Sequence, residues 1–139
     1  MIIDATDLIM GRMAAFTAKK ALLGEKIDIV NCEKAVVSGG RHSIFAQYKQ
    51  RYEVGRNPYK GPFYPKTADR LVRRCVRGMI PYKQGKGKNA FKSVMCYIGV
   101  PLQLKGQKFD TVKEAHVSKL KNYKYITIGE LSKHLGAKI

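Results

Sequence analysis

Between residues 70 and 77 the chain carries four arginines at helical spacing: Arg70, Arg73, Arg74 and Arg77. At 100° per residue they fall within an arc of about 100° on one side of a helix. Like charges three or four residues apart on a helix repel each other. A surface that only faces water gives no gain to offset this repulsion. A guanidinium can hold a phosphate through two parallel N–H groups. The spacing therefore favours phosphate binding over a solvated surface, which is the alternative.

A second group lies in residues 55–66, where three prolines exclude a continuous helix or a central strand. This segment mixes lysine and arginine with aromatic rings. Such a composition can neutralise phosphates while the rings stack on unpaired nucleobases. The alternative is that the rings, which include Phe63 and Tyr64, fold back on the domain. The candidate RNA-binding residues here are Arg56, Asn57, Tyr59, Lys60 and Lys66.

A third group surrounds two glycines, and we predict a basic turn at 84–88 whose backbone amides approach phosphates. Its candidates are Lys83, Lys86, Lys88 and Lys92. The remaining candidate RNA contacts are Arg12, Arg41, Lys49 and Arg51. A Ser-Gly-Gly-Arg segment ending at Arg41 could cradle a nucleotide phosphate, although a plain turn is the favoured interpretation.

Catalytic arrangements are hard to assemble from this sequence. The histidines His42, His116 and His134 have no metal-ligand spacing, and no Walker loop or Gly-x-Ser-x-Gly elbow occurs. Three cysteines without a C-x-x-C pair argue against a disulfide framework or a zinc knuckle and suit a reducing cytosol. We therefore expect no catalytic residue, no cofactor, no metal and no small-molecule substrate.

The charge distribution agrees with a polyanion partner. The chain has 139 residues, a formal net charge of +17 and a sequence pI near 10.0. Residues 1–40 carry five bases and five acids, whereas residues 41–108 carry sixteen bases and two acids. Such a concentration of one sign favours a nucleic acid as the partner. The absence of a long apolar run predicts a soluble protein with no membrane partner.

The elements that position these residues begin with a β-α-β unit in residues 1–40. Ile2 and Ile3 start a strand, a helical stripe runs from Ile9 to Leu23, and Gly24 suits the helix end. A β-branched strand covers 27–30, and residues 35–37 are a candidate for another short strand before a turn. Strands joined through a helix imply parallel pairing in an α/β domain, and the length suits one domain over 1–139.

Five further helical segments are predicted. Residues 43–52 form a helix with Ser43 as N-cap, and residues 67–79 form one with Thr67 as N-cap and Met79 on its apolar side. Residues 89–95 are helical and lead into a strand. The C-terminal region holds a weaker helix at 112–120 and another at 128–135, with Thr127 as cap and Gly136 as stop.

The chain also carries several specific motifs in a fixed order, which are Asn57-Pro58, Gly61-Pro62-Phe63, Asp69-Arg70, Val76-Arg77-Gly78-Met79-Ile80-Pro81, Gly85 to Lys88 and Tyr97-Ile98-Gly99-Val100-Pro101. Together these motifs resemble the universal large-subunit ribosomal protein thirteen family in its archaeal and eukaryotic form. The resemblance covers most of the chain, and the departures, such as Met10, Met13 and Ile80, nearly conserve volume.

The resemblance implies a three-layer α/β/α domain with a central parallel sheet of about four strands, to which the Pro-rich basic loop and C-terminal helices are added. It also implies a structural protein of the large ribosomal subunit that binds ribosomal RNA early in assembly, beside neighbouring ribosomal proteins. Two rival functions are an RNA-modifying enzyme, for which no residue is nominated, and a DNA-binding regulator. The uniform arginine face lacks the mixed base-reading side chains that a DNA-binding regulator needs.

Overall fold

The structure is a computed structural model that describes residues 1–54 and 59–138. Within these ranges the chain forms five α-helices and five short β-strands. The strands are β1 (Ile2–Asp4), β2 (Ile27–Val30), β3 (Val36–Ser38), β4 (Val94–Cys96) and β5 (Tyr125–Thr127). The helices are α1 (Met10–Leu22), α2 (Arg41–Glu53), α3 (Ala68–Met79), α4 (Gly85–Lys92) and α5 (Ile128–His134). The expected α/β class is confirmed.

The central sheet has the order β1-β2-β4, and both pairings are parallel. About four strands were expected, whereas the described residues form three. Beside β1 the pairing is limited to Asp110, which forms one parallel bridge with Ile3. Its N–H donates to the Ile2 carbonyl at 2.8 Å, and its carbonyl accepts from the Asp4 N–H at 3.1 Å. A fourth position therefore exists as a single residue rather than a strand.

Strand β3 lies outside the parallel sheet and pairs antiparallel with β5. The cause lies directly after β2, where Asn31 adopts φ 55° and a 3-10 turn follows at Cys32–Lys34. The left-handed residue and the tight turn redirect the chain away from β2.

One face of the sheet is fully buried and the other is partly open. The strand register and alternation place Ile3, Ile29 and Cys96 on the same face, and all three are buried. Helix α3 packs on β4 and α1 packs on α3 and α4. On the opposite face, Asp28 and Met95 are only half-buried. The three-layer arrangement therefore stays a prediction.

The predicted apolar stripe of α1 is wrong at its end, because Leu23 is 72% exposed. The helix brings small residues to its contact with α3 instead. Met13, Ala14, Ala18 and Ala21 are buried, and alanine allows a close approach between helices. Past its end Gly24 has φ 96°, the left-handed conformation expected of a glycine that terminates a helix. The predicted β-α-β unit and its stop signal are confirmed.

Three predicted local features are wrong. Helix α2 begins at Arg41 because the Ile44 N–H already donates to the Gly40 carbonyl at 3.0 Å, which places Ser43 inside the first turn. Residues 84–88 are not a turn, since α4 begins at Gly85. Residues 112–120 form two 3-10 turns instead of one helix. Between them His116 is extended, and its ring accepts the Ser118 N–H at 3.2 Å.

The C-terminal helix α5 is as predicted. The Thr127 side chain accepts a hydrogen bond from the Glu130 N–H at 3.2 Å, and Gly136 has φ 81° beyond the helix end. One buried cluster contains both Ile3 and Leu135, so the two ends of the described chain share a core. In the described ranges, every helix is too short or too polar to cross a membrane.

Candidate nucleic-acid interface

Helix α3 separates a buried face from an arginine face, as its periodicity predicts. Leu71, Val72 and Val76 are buried, whereas the four arginines are exposed or half-buried. The predicted place of Met79 on the buried side is wrong, because it is 43% exposed while Ile80 is 5% exposed. The helix ends at Met79, and the extended backbone of Ile80 turns that side chain inward instead.

The arginine face encloses a surface pocket of about 200 Å³. All four arginines of α3 line it together with two residues from other segments, which are Pro65 and Phe91. A larger neighbouring pocket of about 540 Å³ includes Arg77, Tyr82 and Lys83. The structure therefore brings the arginines together with the end of the Pro-rich loop, the turn after α3 and helix α4.

Two aromatic rings from outside α3 hold two of its arginines. The Arg73 guanidinium lies 4.7 Å from the centre of the Phe91 ring, and that of Arg77 lies 5.3 Å from the Tyr82 ring. The two rings meet edge to face at 5.5 Å and 87°. We call this alternating row of Arg73, Phe91, Tyr82 and Arg77 the cation–ring ladder. Its cation–π contacts offset repulsion between like charges one helical turn apart.

The Pro-rich loop is tied to α3 through Arg74. Its guanidinium lies 4.3 Å from the Tyr64 ring and donates to the Phe63 carbonyl at 3.4 Å. Tyr64 also meets Tyr48 of α2 edge to face at 6.1 Å. Phe63 is 70% exposed and Tyr59 is 92% exposed. One ring therefore folds back on the domain, as the alternative holds, while two rings remain at the surface and their stacking on bases stays a prediction.

The remaining candidates of this loop differ in their surroundings. Lys60 is exposed, whereas Lys66 is half-buried with its ammonium 4.6 Å from the Tyr52 ring. The Lys66 carbonyl accepts the buried Ser132 hydroxyl at 2.6 Å, which anchors the end of the loop to α5. The candidates Arg56 and Asn57 lie outside the described residues.

Carboxylates do not neutralise this surface. The ion pairs of the described residues are Lys20 with Glu25 at 2.8 Å and Lys49 with Glu53 at 4.0 Å. In the same ranges, none of the four α3 arginines has an acidic partner within ion-pair distance. Arginines that are stacked but not ion-paired retain a net positive potential, which attracts an anion.

Helix α2 carries three of the predicted contacts, and they point in different directions. Arg41 lies 5.4 Å from the Phe45 ring, Arg51 lies 5.3 Å from the Tyr48 ring, and Lys49 faces Glu53. At 100° per residue, Lys49 and Arg51 are about 160° apart. Burial raises the pKa of Tyr48 to about 12, and the nearby Arg51 charge partly opposes this shift.

The segment before α2 is a turn, which is the interpretation that the sequence favoured over a phosphate cradle. Gly39 has φ 133°, and its N–H donates to the Lys124 carbonyl at 2.8 Å. That amide is engaged within the fold and does not point at a phosphate.

Helix α4 presents its lysines on two flanks. Lys86, Lys88 and Lys92 are exposed, and Lys86 lies about 160° around the helix from Lys88. Gly87 is buried against the turn after α3, where an added Cβ would stand 2.0 Å from the Pro81 carbonyl oxygen. The glycine thus serves helix packing, which brings Phe91 to Tyr82, rather than a phosphate-cradling turn.

Arg12 lies outside the arginine pocket. It lines a separate pocket of about 520 Å³ with Phe16, Lys19 and Val112. Its guanidinium donates to the Glu114 carbonyl at 3.4 Å.

Sequence reasoning missed Phe91, Tyr82 and Pro65, which complete the arginine pocket and the ladder. Each belongs to a different segment from α3, so helical spacing within one segment cannot reveal it. The one local signal is Tyr82, which directly follows the helix-stopping Pro81 and lies five residues after Arg77.

The cysteines and histidines are integrated into the fold. A hydrogen bond with Cys32, burial and the Cys32 charge all raise the pKa of Cys96, and burial raises that of Cys75. Both thiols therefore stay protonated at neutral pH and are poor nucleophiles. His134 stacks on Phe45 at 4.1 Å. Across residues 1–54 and 59–138, no three His, Cys, Asp or Glu side chains are grouped as metal ligands.

Comparison with known proteins identifies the relatives of this chain. The family model described as ribosomal protein L13 matches residues 1–103. A protein of Methanosarcina barkeri is 43% identical over 138 residues, which cover 99% of this chain and 98% of the relative. One of Methanococcoides burtonii is 42% identical with the same coverage, and one of Archaeoglobus fulgidus is 40% identical over 97% of this chain and 86% of the relative. All three are named large ribosomal subunit protein uL13.

Proposed function

Since this chain belongs to the ribosomal protein L13 family, and so to the proteins of the large ribosomal subunit, we propose that it binds large-subunit ribosomal RNA and supports early subunit assembly. It works there as a structural constituent in the cytoplasm, without catalysis, cofactor or small-molecule substrate. Its other partners are neighbouring ribosomal proteins.

The observation that carries this proposal is the arginine face of α3. Its four guanidiniums line one pocket and have no acidic partner within ion-pair distance in the described ranges, while the buried side of the same helix packs on the core. Phosphate oxygens are the acceptors that suit a forked, permanently charged donor. An RNA backbone supplies such oxygens at regular spacing.

Recognition by this surface relies on RNA shape. Phosphate contacts from arginine and lysine position a protein on nucleic acid without reading its bases. The exposed Tyr59 and Phe63 add stacking on unpaired bases, a contact typical of irregular RNA. Lys83 lines the neighbouring pocket with Arg77 and extends the positive surface beside the arginines. The exposed Lys60, Lys88 and Lys92 are further proposed contacts.

The same proposal includes one domain over residues 1–139 and a three-layer architecture. The shared core from Ile3 to Leu135 supports the single domain. The buried face of the sheet beneath α1 and α3 accounts for two of the three layers.

Sedimentation of a cell lysate through a sucrose gradient tests the proposal. An epitope-tagged chain is expected with the large subunit and with its assembly intermediates, and it should return to the top after ribonuclease digestion. Appearance only near the top of an undigested gradient would contradict the assignment.

Binding of the purified chain to a large-subunit RNA fragment gives a second test. If about eight lysine and arginine side chains contact phosphate, a plot of log affinity against log salt concentration should have a slope on the order of −6. A flat response would exclude phosphate contacts as the source of affinity. Equal affinity for an unrelated DNA duplex would instead favour a general nucleic-acid binder.

A further inference from the structure

We infer that the pocket lined by the four α3 arginines, Pro65 and Phe91 is a preformed socket for one phosphate of an RNA backbone. The inference rests on the proposed function and deepens it. The proposed function requires only a positive surface, whereas a socket concentrates affinity at one place and fixes the register of the bound strand.

The size of the pocket limits what it can hold. Its volume is about 200 Å³, below the roughly 300 to 1,000 Å³ of pockets that enclose a drug-sized ligand or a cofactor. A phosphate group with a few ordered waters fits this space, since each water takes about 30 Å³ in the liquid.

The stacking contacts orient the arginines without using their hydrogen-bond donors. A guanidinium is planar and donates in its plane, while a ring covers one of its faces. The guanidinium carbons of Arg73 and Arg77 lie 4.7 and 5.3 Å from the Phe91 and Tyr82 ring centres. Within the described residues neither side chain donates a hydrogen bond to the protein, so its donors remain available. The Nε of Arg73 is shielded from solvent without a partner in the described residues, so its two terminal nitrogens form the edge that a ligand can reach.

Because the side chains are already held, binding loses little conformational entropy. A free arginine loses rotamer freedom when it is fixed on a ligand, and preorganisation removes that cost in advance. Three of the four arginines, which are Arg73, Arg74 and Arg77, stack on a ring before any ligand is present. Four like charges around one pocket also repel in the free state, and an anion at their centre relieves that repulsion.

The walls of the pocket favour a backbone phosphodiester over a free phosphate ion. Pro65 and Phe91 line the socket beside the arginines, and apolar wall residues of this kind suit the ribose and base attached to a backbone phosphate. The same arginines would hold inorganic phosphate more weakly, because a free ion makes no contact with these apolar residues. Both sources share the phosphate chemistry, and experiment can separate them.

Inorganic phosphate is the first probe, added to the isotopically labelled full-length chain and followed by NMR at the arginine side-chain N–H groups. We expect saturable shifts at Arg73 and Arg77. The variants Arg73→Lys and Arg77→Lys keep the charge and lose the fork, so each should weaken phosphate binding about tenfold. Lys26→Gln removes a charge outside the pocket and should change the affinity less than twofold.

An effect of Lys26→Gln as strong as that of either lysine variant would overturn the socket, because it would mean that total charge decides binding. Chemical shifts in the wild type that do not saturate as phosphate is added would overturn it as well. Backbone amide spectra of each variant verify that the fold is retained. Arg70→Lys, on the exposed side of the pocket, provides a second charge-conserving substitution where packing is least disturbed.

Two adenine compounds separate the phosphate sources. The dinucleotide ApA contains one phosphodiester and no terminal phosphate, whereas AMP contains only a phosphate monoester. A backbone socket binds ApA at least as tightly as inorganic phosphate, with shifts at Arg73. Binding of AMP and phosphate without ApA would overturn the backbone assignment.

The proposed function and the phosphate socket can be refuted independently. A chain that sediments with the large subunit but shows no saturable phosphate site retains the proposed function and loses the socket. A chain that does not sediment there loses the proposed function, whatever the phosphate titration gives.

Discussion

The guanidinium of Arg73 on helix α3 lies 4.7 Å from the centre of the Phe91 ring on helix α4, eighteen positions further along the chain. This contact couples the packing of two helices to the presentation of a charge. The ring faces Arg73 on one side and meets Tyr82 edge to face, so its loss affects the whole ladder. Stability and RNA affinity should therefore respond together to changes at this ring.

Replacing Phe91 with leucine should lower both quantities. Leucine keeps an apolar side chain on α4 but removes the ring, so we expect a loss of about 0.5 to 2 kcal/mol in the free energy of unfolding. RNA affinity should fall a few-fold while the salt slope stays unchanged, because no charge is removed. Urea denaturation and filter binding measure the two effects. Phe16→Leu is the control for the stability change, and a loss as large there would show that ring stacking is not the cause.

The arginines of the pocket should each contribute to the salt dependence of RNA binding. Arg77→Gln removes one phosphate contact, so the magnitude of the log–log slope should fall by about 0.7. Lys26→Gln makes the same change of charge in the electrically balanced N-terminal segment and should leave the slope unaltered. Equal changes in both variants would mean that overall charge, rather than this face, governs binding.

Gly87→Ala should destabilise the protein although alanine is the better helix former. An added Cβ would stand 2.0 Å from the Pro81 carbonyl oxygen, so α4 must move away from the turn after α3. Overpacking of this kind costs about 1 to 3 kcal/mol. Gly85→Ala on the same helix has open space at its Cβ and should be neutral or slightly stabilising. Thermal denaturation of both variants tests the contrast, and equal melting temperatures would refute the close contact.

The same glycine shows where sequence reasoning ends. Signals carried by neighbouring residues predicted α1 with its stop at Gly24, strand β2, and α5 between Thr127 and Gly136. Helix α4 was not predicted from its start, because two glycines within four residues indicate a turn unless tertiary packing demands them. That demand comes from the Pro81 carbonyl, a contact that no local pattern records.

Pairing between distant segments was equally hidden. Strand β3 joins β5, about ninety residues later, and leaves the parallel sheet with three strands in the described ranges. In the site, helical spacing alone placed the four arginines on one face. It could not supply Phe91 or Tyr82, which reach that face from other elements.

Asp4 should make stability depend on acid pH. Burial raises the pKa of Asp4, but hydrogen bonds from Asn31 and Thr6 and the charge of Lys34 outweigh it, so the pKa lies below its ordinary value of 3.8. The folded state thus favours the charged form. Its contribution is complete above the ordinary pKa and is lost as pH falls through the lowered one. Asp4→Asn should therefore be less stable than the wild type at pH 7, and the gap should narrow below about pH 4. Urea denaturation from pH 7 to pH 3 measures it, and a constant gap would contradict this role.

Two threonines at helix starts should differ although both precede a helix. The Thr127 hydroxyl accepts the Glu130 N–H at 3.2 Å, so Thr127→Ala should cost about 1 kcal/mol of unfolding free energy. Thr67 occupies the same position before α3, yet its hydroxyl is buried without a hydrogen-bond partner in the described residues. Thr67→Ala removes a desolvated polar atom that makes no bond, so its effect should be near zero or stabilising. Chemical denaturation of the pair decides the matter. An equal loss of unfolding free energy in Thr67→Ala and Thr127→Ala would mean that the Thr67 hydroxyl caps α3 in solution. The start of the arginine helix would then be fixed by the Thr67 side chain rather than by packing.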